Sequence, residues 1–223
     1  GYHVTEEDGS RSGYGYEYLQ HLRTYTNWDY EYVGYEKSWS DMLRMLDDGE
    51  IDLLTSAFKT PEREEKYLFS DEPIGTSAAR LAVKAGSGRY SVGDYAGWDG
   101  IRVGMLTDST RNAAFAAFAA QKSFRYTAAY YGTAGEIEAA LDAGEIDALL
   151  SSGLRRSDGE WTLAQFDPEP IYIITRRDRQ DLMDQVNYAL EQVNAATPNL
   201  ADELQHKYYG SDSGAAIAFT PQE

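Results

Sequence analysis

The chain has 223 residues, 37 acidic and 20 basic, with a formal net charge of −17. That balance repels nucleic acid and anionic membrane surfaces and leaves small molecules or cationic partners open. The lack of cysteine excludes disulfides, thiolate-held zinc and a thiol nucleophile, and the length suits two lobes of about a hundred residues each.

In chain order, Tyr2 to Val4 reads as the end of a strand, Asp8-Gly9 as a turn, Gly13 to Leu22 as an amphipathic helix and Tyr30 to Val33 as a short strand. Ser38 and Asp41 then open a helix by a capping box, with Met42, Leu43 and Leu46 at helical spacing. Gly49 stops it, and Ile51 to Leu54 follows as a buried strand. Thr60-Pro61-Glu62-Arg63 opens a turn ahead of Phe69-Ser70-Asp71, and Ala79 to Lys84 is a strand leading out of the first half. Gly86, Gly88, Gly93, Gly97 and Gly100 make a loose, exposed connection. The strand Arg102 to Leu106 runs into Ser109-Thr110 and a helix rich in Ala and Phe, whose N-terminus favours an anion. Thr133 and Glu136 open the next helix, with Ile137, Ala140 and Leu141 on one face, and Gly144 and the strand Ile146 to Leu150 follow. Ile171 to Thr175 is a strand returning the chain. Two amphipathic helices close it, Leu182 to Val193 and one begun by Thr197-Pro198 with Leu200, Leu204 and Tyr208 on one face. Near the end, Thr220, Pro221 and Glu223 announce a further helix, so the chain reads as a piece excised from a longer protein.

One phrase occurs twice. Residues 46–56 and 141–151 agree at eight of eleven positions, sharing Leu-Asp-x-Gly-Glu-Ile-Asp-x-Leu-x-Ser. The repeated unit is helix, glycine stop and core strand. Since ligands of α/β sheets bind beyond the carboxyl ends of strands, Thr55, Ser56, Ser151 and Ser152 stand where a ligand would lie. The competing reading is two ordinary αβ units that resemble each other by chance.

Several motifs resemble, in order, those of the type II periplasmic solute-binding proteins, in the branch of the polar amino-acid receptors, over essentially the whole chain. They are Gly13-Tyr14-Gly15-Tyr16-Glu17, Gly49-Glu50-Ile51-Asp52, Thr60-Pro61-Glu62-Arg63 with Phe69-Ser70-Asp71, Val103-Gly104 with Ser109-Thr110, Gly144-Glu145-Ile146-Asp147, and the Pro198 to Tyr208 helix. The resemblance implies a two-lobed α/β fold, its lobes joined by two crossing strands with a ligand cleft between them. Lobe I would be residues 1–83 and 172–223, and lobe II residues 84–171.

On that resemblance, Arg63 matches the arginine that receives a ligand carboxylate, a task suited to a planar guanidinium with parallel donors. Ser109 and Thr110 match helix-start hydroxyls that meet the same group. Phe58 stands where amino-acid receptors place a hydroxyl, and Ser152 where they place an acid for the ammonium group. Tyr2 and Trp39 are candidate aromatic platforms, and Ser56 lies at the strand end. For Arg63 the alternative is a surface ion pair with Glu62, Glu64 or Glu65, and for Ser109 and Thr110 it is helix capping alone.

His3, His21 and His206 are scattered without metal-ligand spacing, and no phosphate-binding glycine loop, dinucleotide fingerprint or nucleophile elbow occurs. No catalytic residue, cofactor or metal is therefore expected, although some relatives of the fold are dehydratases or lytic transglycosylases. The function that follows is an extracytoplasmic sensor domain of a transmembrane signalling receptor, of histidine kinase or diguanylate cyclase type, closing its lobes on an amino-acid-like or other carboxylate-bearing solute. The second reading is the solute-binding protein of an ABC transporter. The expected partner is a small molecule and not nucleic acid. The membrane would be met only through segments outside this sequence, and the full receptor could dimerise.

Overall fold

In the computed structural model, residues 2–34, 37–107, 109–155 and 159–210 are described, and the helix start at Thr220, Pro221 and Glu223 lies outside them. Val4–Thr5 (β1) and Arg11–Ser12 (β2) pair antiparallel. Between them Gly9 turns at φ 82° and Asp8 accepts the Ser10 N–H at 2.9 Å. Tyr14–Arg23 (α1) follows. The expected strand at Tyr30 to Val33 does not form. Its tyrosines turn to other rings: Tyr32 lies 5.4 Å from Tyr16 and 5.7 Å from Tyr30, and its hydroxyl takes a 2.8 Å bond from Gln20.

Trp39–Asp48 (α2) starts on Ser38, whose hydroxyl accepts from Asp41 N, and ends on Gly49 at φ 74°. Leu54–Phe58 (β3) comes next, followed by Pro61–Lys66 (α3), where a turn alone was expected. Thr60 caps α3 and Pro61 fills its first position, where no N–H is needed. Tyr67–Phe69 (β4) and Gly75–Lys84 (β5) follow, then Ile101–Leu106 (β6), Arg111–Lys122 (α4), Tyr126–Tyr131 (β7), Ala134–Asp142 (α5), Ala148–Ser152 (β8), Glu160–Arg176 (β9), Gln180–Ala196 (α6) and Leu200–Tyr209 (α7).

The described residues form two compact units, one of those within 2–77 with Glu169–Tyr208, the other of those within 78–168 with Tyr209 and Gly210. In the first, β3 and β4 both pair antiparallel with the later half of β9, and α6 buries Leu182, Met183, Val186, Ala189, Leu190 and Val193. In the second, β8 lies between β5, to which it is antiparallel, and β6, to which it is parallel, and β7 extends the sheet beside β6. Alternate residues of β5 serve opposite faces. Ala79, Leu81 and Val83 enter the core under α4, whereas Ala82 packs with Ile137 and Leu141 of α5. The glycine-rich connection at 86–100 is anchored rather than loose. Trp98 is fully buried against Tyr95 and Phe124, and its indole N–H reaches Ser91 O at 2.9 Å.

The repeated phrase marks two arginine-closed turns. Arg102 donates to the carbonyls of Gly144 and Glu145 at 2.9 and 2.6 Å and to Asp147. In the other copy Arg176 reaches the carbonyls of Leu46 and Ile51 at 3.4 Å, while Asp52 takes Arg179 at 2.7 Å. Both strands begin later than expected, at Leu54 and Ala148, because Ile51 and Ile146 remain in the turn, their N–H groups bonded back to Met45 O and Ala140 O.

Candidate functional site

The carboxyl end of β3 is irregular. The β3–β9 register shifts between Leu54 and Ala57, and within that bulge Ser56 takes φ 60°. A left-handed serine costs on the order of 1 kcal/mol relative to glycine, and such bulges commonly aim side chains at a site. The Tyr2 hydroxyl lies beside the Thr55 and Ser56 side chains without reaching hydrogen-bond geometry with any described residue. Burial is the main reason that its pKa is pushed well above the ordinary tyrosine value. The ring stacks on Tyr14 at 5.8 Å and sits so close over Gly15 that a Cβ there would lie 2.4 Å from it. Gly15 is therefore required by the position of Tyr2.

Arg63, in the first turn of α3, is half-buried. One guanidinium nitrogen donates to Phe58 O at 3.1 Å, and the group lies over the Trp39 ring at 5.5 Å. Burial lowers its pKa, with Tyr67 and Glu62 opposing. None of the described ion pairs includes it, and the neighbouring Glu64 faces Lys59 at 3.9 Å instead. Arg63 thus reaches both Phe58 and Trp39, and Tyr2 and Ser56 meet at the same strand end.

In the other unit, Ser109 is half-buried and its hydroxyl accepts the Arg111 N–H at 3.3 Å, the first turn of α4. Thr110, the residue before the helix, is exposed and makes no side-chain capping bond. Helix opening therefore falls to Ser109. Ser152, at the end of β8, accepts from Leu154 N at 3.1 Å and so closes the turn that follows the strand. Thr55 and Ser56 were expected at the strand end, but the bulge at Ser56 was not foreseen, because nothing in a Thr-Ser pair signals a left-handed backbone.

Among the described residues no helix is long and apolar enough to cross a membrane, and no cluster of His, Asp and Glu is placed to hold a metal ion. No curated protein matches the chain. Among solved structures, the probable amino-acid ABC transporter extracellular-binding protein YtmK from Bacillus subtilis superposes with a TM-score of 0.73 at 20% identity, over 94% of this chain and 93% of that one. An ancestral arginine-binding protein bound to arginine gives 0.68 at 20% identity, over 94% and 93%. The ancestral amino acid-binding protein described as a precursor of cyclohexadienyl dehydratase gives 0.68 at 19%, over 93% and 89%. These likenesses show the fold, the two-lobed α/β architecture of type II periplasmic binding proteins. The model of one family matches residues 1–211, and the chain accordingly belongs to the bacterial extracellular solute-binding proteins, family 3.

Proposed function

We propose that the chain binds a small amino-acid-like solute through its carboxylate, with Arg63 as the principal partner. Ser56, Phe58, Trp39 and Tyr2 would surround the ligand from the same unit, Ser109, Thr110 and Ser152 would meet it from the other, and the lobes would close on it. The observation that carries the reading is the state of Arg63: half-buried, braced by Phe58 O and the Trp39 ring, and without a carboxylate within ion-pair distance among the described residues. A guanidinium held in this way is prepared for a bidentate anion. The ring at Phe58 and the serine at 152 favour a ligand whose carboxylate, rather than its ammonium, supplies most of the recognition. As the setting we propose the extracytoplasmic sensor module of a transmembrane signalling receptor. Supply of an ABC transporter is the second setting, supported by the likeness to the probable ABC transporter extracellular-binding protein of Bacillus subtilis.

A thermal-shift screen of amino acids and organic acids identifies the ligand, and calorimetry then compares variants. Arg63→Ala should weaken binding by roughly 2–5 kcal/mol, and Arg63→Lys should recover little of it. Wild-type affinity in Arg63→Ala would overturn the assignment.

A further inference from the structure

The second unit holds another guanidinium cluster, built on other residues than the proposed solute site. Arg80, on β5, shares the sheet face of Ala82 under α5, and its side chain is 2% exposed. Its Nη1 donates to Glu160 Oε2 at 2.6 Å and its Nε to Thr162 Oγ1 at 2.7 Å. Arg155, just after β8, brings Nη2 onto the other oxygen of the same carboxylate and Nη1 onto Glu138 Oε1 at 2.6 Å. Glu160 is thereby shared by two arginines, and two buried donors remain: Arg80 Nη2 and Arg155 Nε find no acceptor among the described residues.

The charges point the same way. Glu160 is 8% exposed, against 2% for Arg80 and 24% for Arg155, while the fourth member, Glu138, is half in solvent at 49%. The buried part of the cluster thus carries two cations and one anion. Buried N–H groups with no acceptor among the described residues are costly in a low dielectric, the more so where the balancing carboxylate is half in solvent, and one small anion relieves that cost.

We propose that this unit carries an anion-binding site on Arg80 Nη2 and Arg155 Nε, taking one small monovalent anion of halide or formate size. The partial exposure of Arg155 makes its side the route of entry. The occupant would tie together β5, α5 and the turn that begins at Ser152, so the firmness of that turn would depend on anion concentration.

The test uses the intact chain in the sodium salt of a bulky sulfonate, replaced mole for mole by sodium chloride or by sodium formate so that ionic strength stays fixed. The wild type should show a saturable rise in Tm with at least one of the two. In Arg155→Gln the half-saturating concentration should increase at least about tenfold, whereas Arg63→Ala should titrate like the wild type. Crystals of the wild type grown in bromide should show an anomalous peak contacting both nitrogens, a result that stands even if Arg155→Gln fails to fold. The proposal is overturned if wild type and Arg155→Gln respond alike, if the response does not saturate, or if density at that place carries no bromide signal.

Discussion

His3 lies 5.4 Å from the Tyr2 ring and 5.5 Å from that of Tyr32. Burial first, and Arg11 second, lower its pKa from 6.5 to about 4. A histidine with a depressed folded pKa binds fewer protons in the folded state than in the unfolded one between those two values. Its contribution is therefore complete above pH 6.5 and falls away as pH drops through the window toward 4. The loss should amount to roughly 1–3 kcal/mol at the acid end. Urea unfolding of wild type and His3→Gln at pH 7 and pH 4.5 checks it: the variant should lose less stability on acidification, and equal losses would mean that His3 accepts a proton freely in the folded state. At this scale the candidate site was legible where chemistry is carried by residue type, as with Arg63 and Trp39. It was not legible where backbone geometry decides. Ser56 is an ordinary serine in sequence, yet its left-handed φ directs the end of β3. Gly15 looked like one glycine in a motif, whereas the Tyr2 ring is what excludes a side chain there.

Among the elements, the repeated phrase shows how far local sequence determines local structure. Both copies give a capped helix, a glycine at φ 74° and a turn closed by an arginine. Their surroundings then diverge, since Asp147 is 7% exposed and Asp52 68%. Asp147 accepts from Arg102 N at 3.0 Å, from the Arg102 side chain and from Arg89, and the Arg102 bonds are the first cause of its lowered pKa. Asp147→Ala should cost about 2 kcal/mol or more, lowering Tm by roughly 4–8 °C, whereas Asp52→Ala should stay within about 0.5 kcal/mol. Calorimetry of the two variants tests the contrast, and equal effects would make burial irrelevant to these turns. Helices were read well because caps and periodicity are local signals. Strands were read less well, since a strand needs a partner that the sequence does not display. Tyr30 to Val33 has the composition of a strand but spends its rings on α1 and on one another, and β7, with its Ala-rich middle, gains its place from the register beside β6.

For the whole molecule, the net charge of −17 makes self-repulsion a general cost of compactness. Raising ionic strength from about 0.01 M to 0.15 M shortens the screening length from about 30 Å to about 8 Å. Tm should therefore rise with added salt whichever bulky anion accompanies the sodium, and a flat response in differential scanning calorimetry would show that the acidic residues are already offset locally by pairs such as Arg102 with Asp147. The division of the chain bears on its synthesis. The first unit is assembled from two stretches separated by residues 78–168 of the second, and Leu54 of β3 finds its partner at Ile174. A chain made from its N-terminus offers residues 78–168 complete while β3 and β4 still lack β9, and closing so long a loop is slow. The unit begun first thus closes only after most of the second has been made. The strands on either side of Arg63, β3 and β4, must spend that interval as unpaired edges, and the acids between them, Glu62, Glu64 and Glu65, are the kind of charge that keeps exposed edges from adhering to one another.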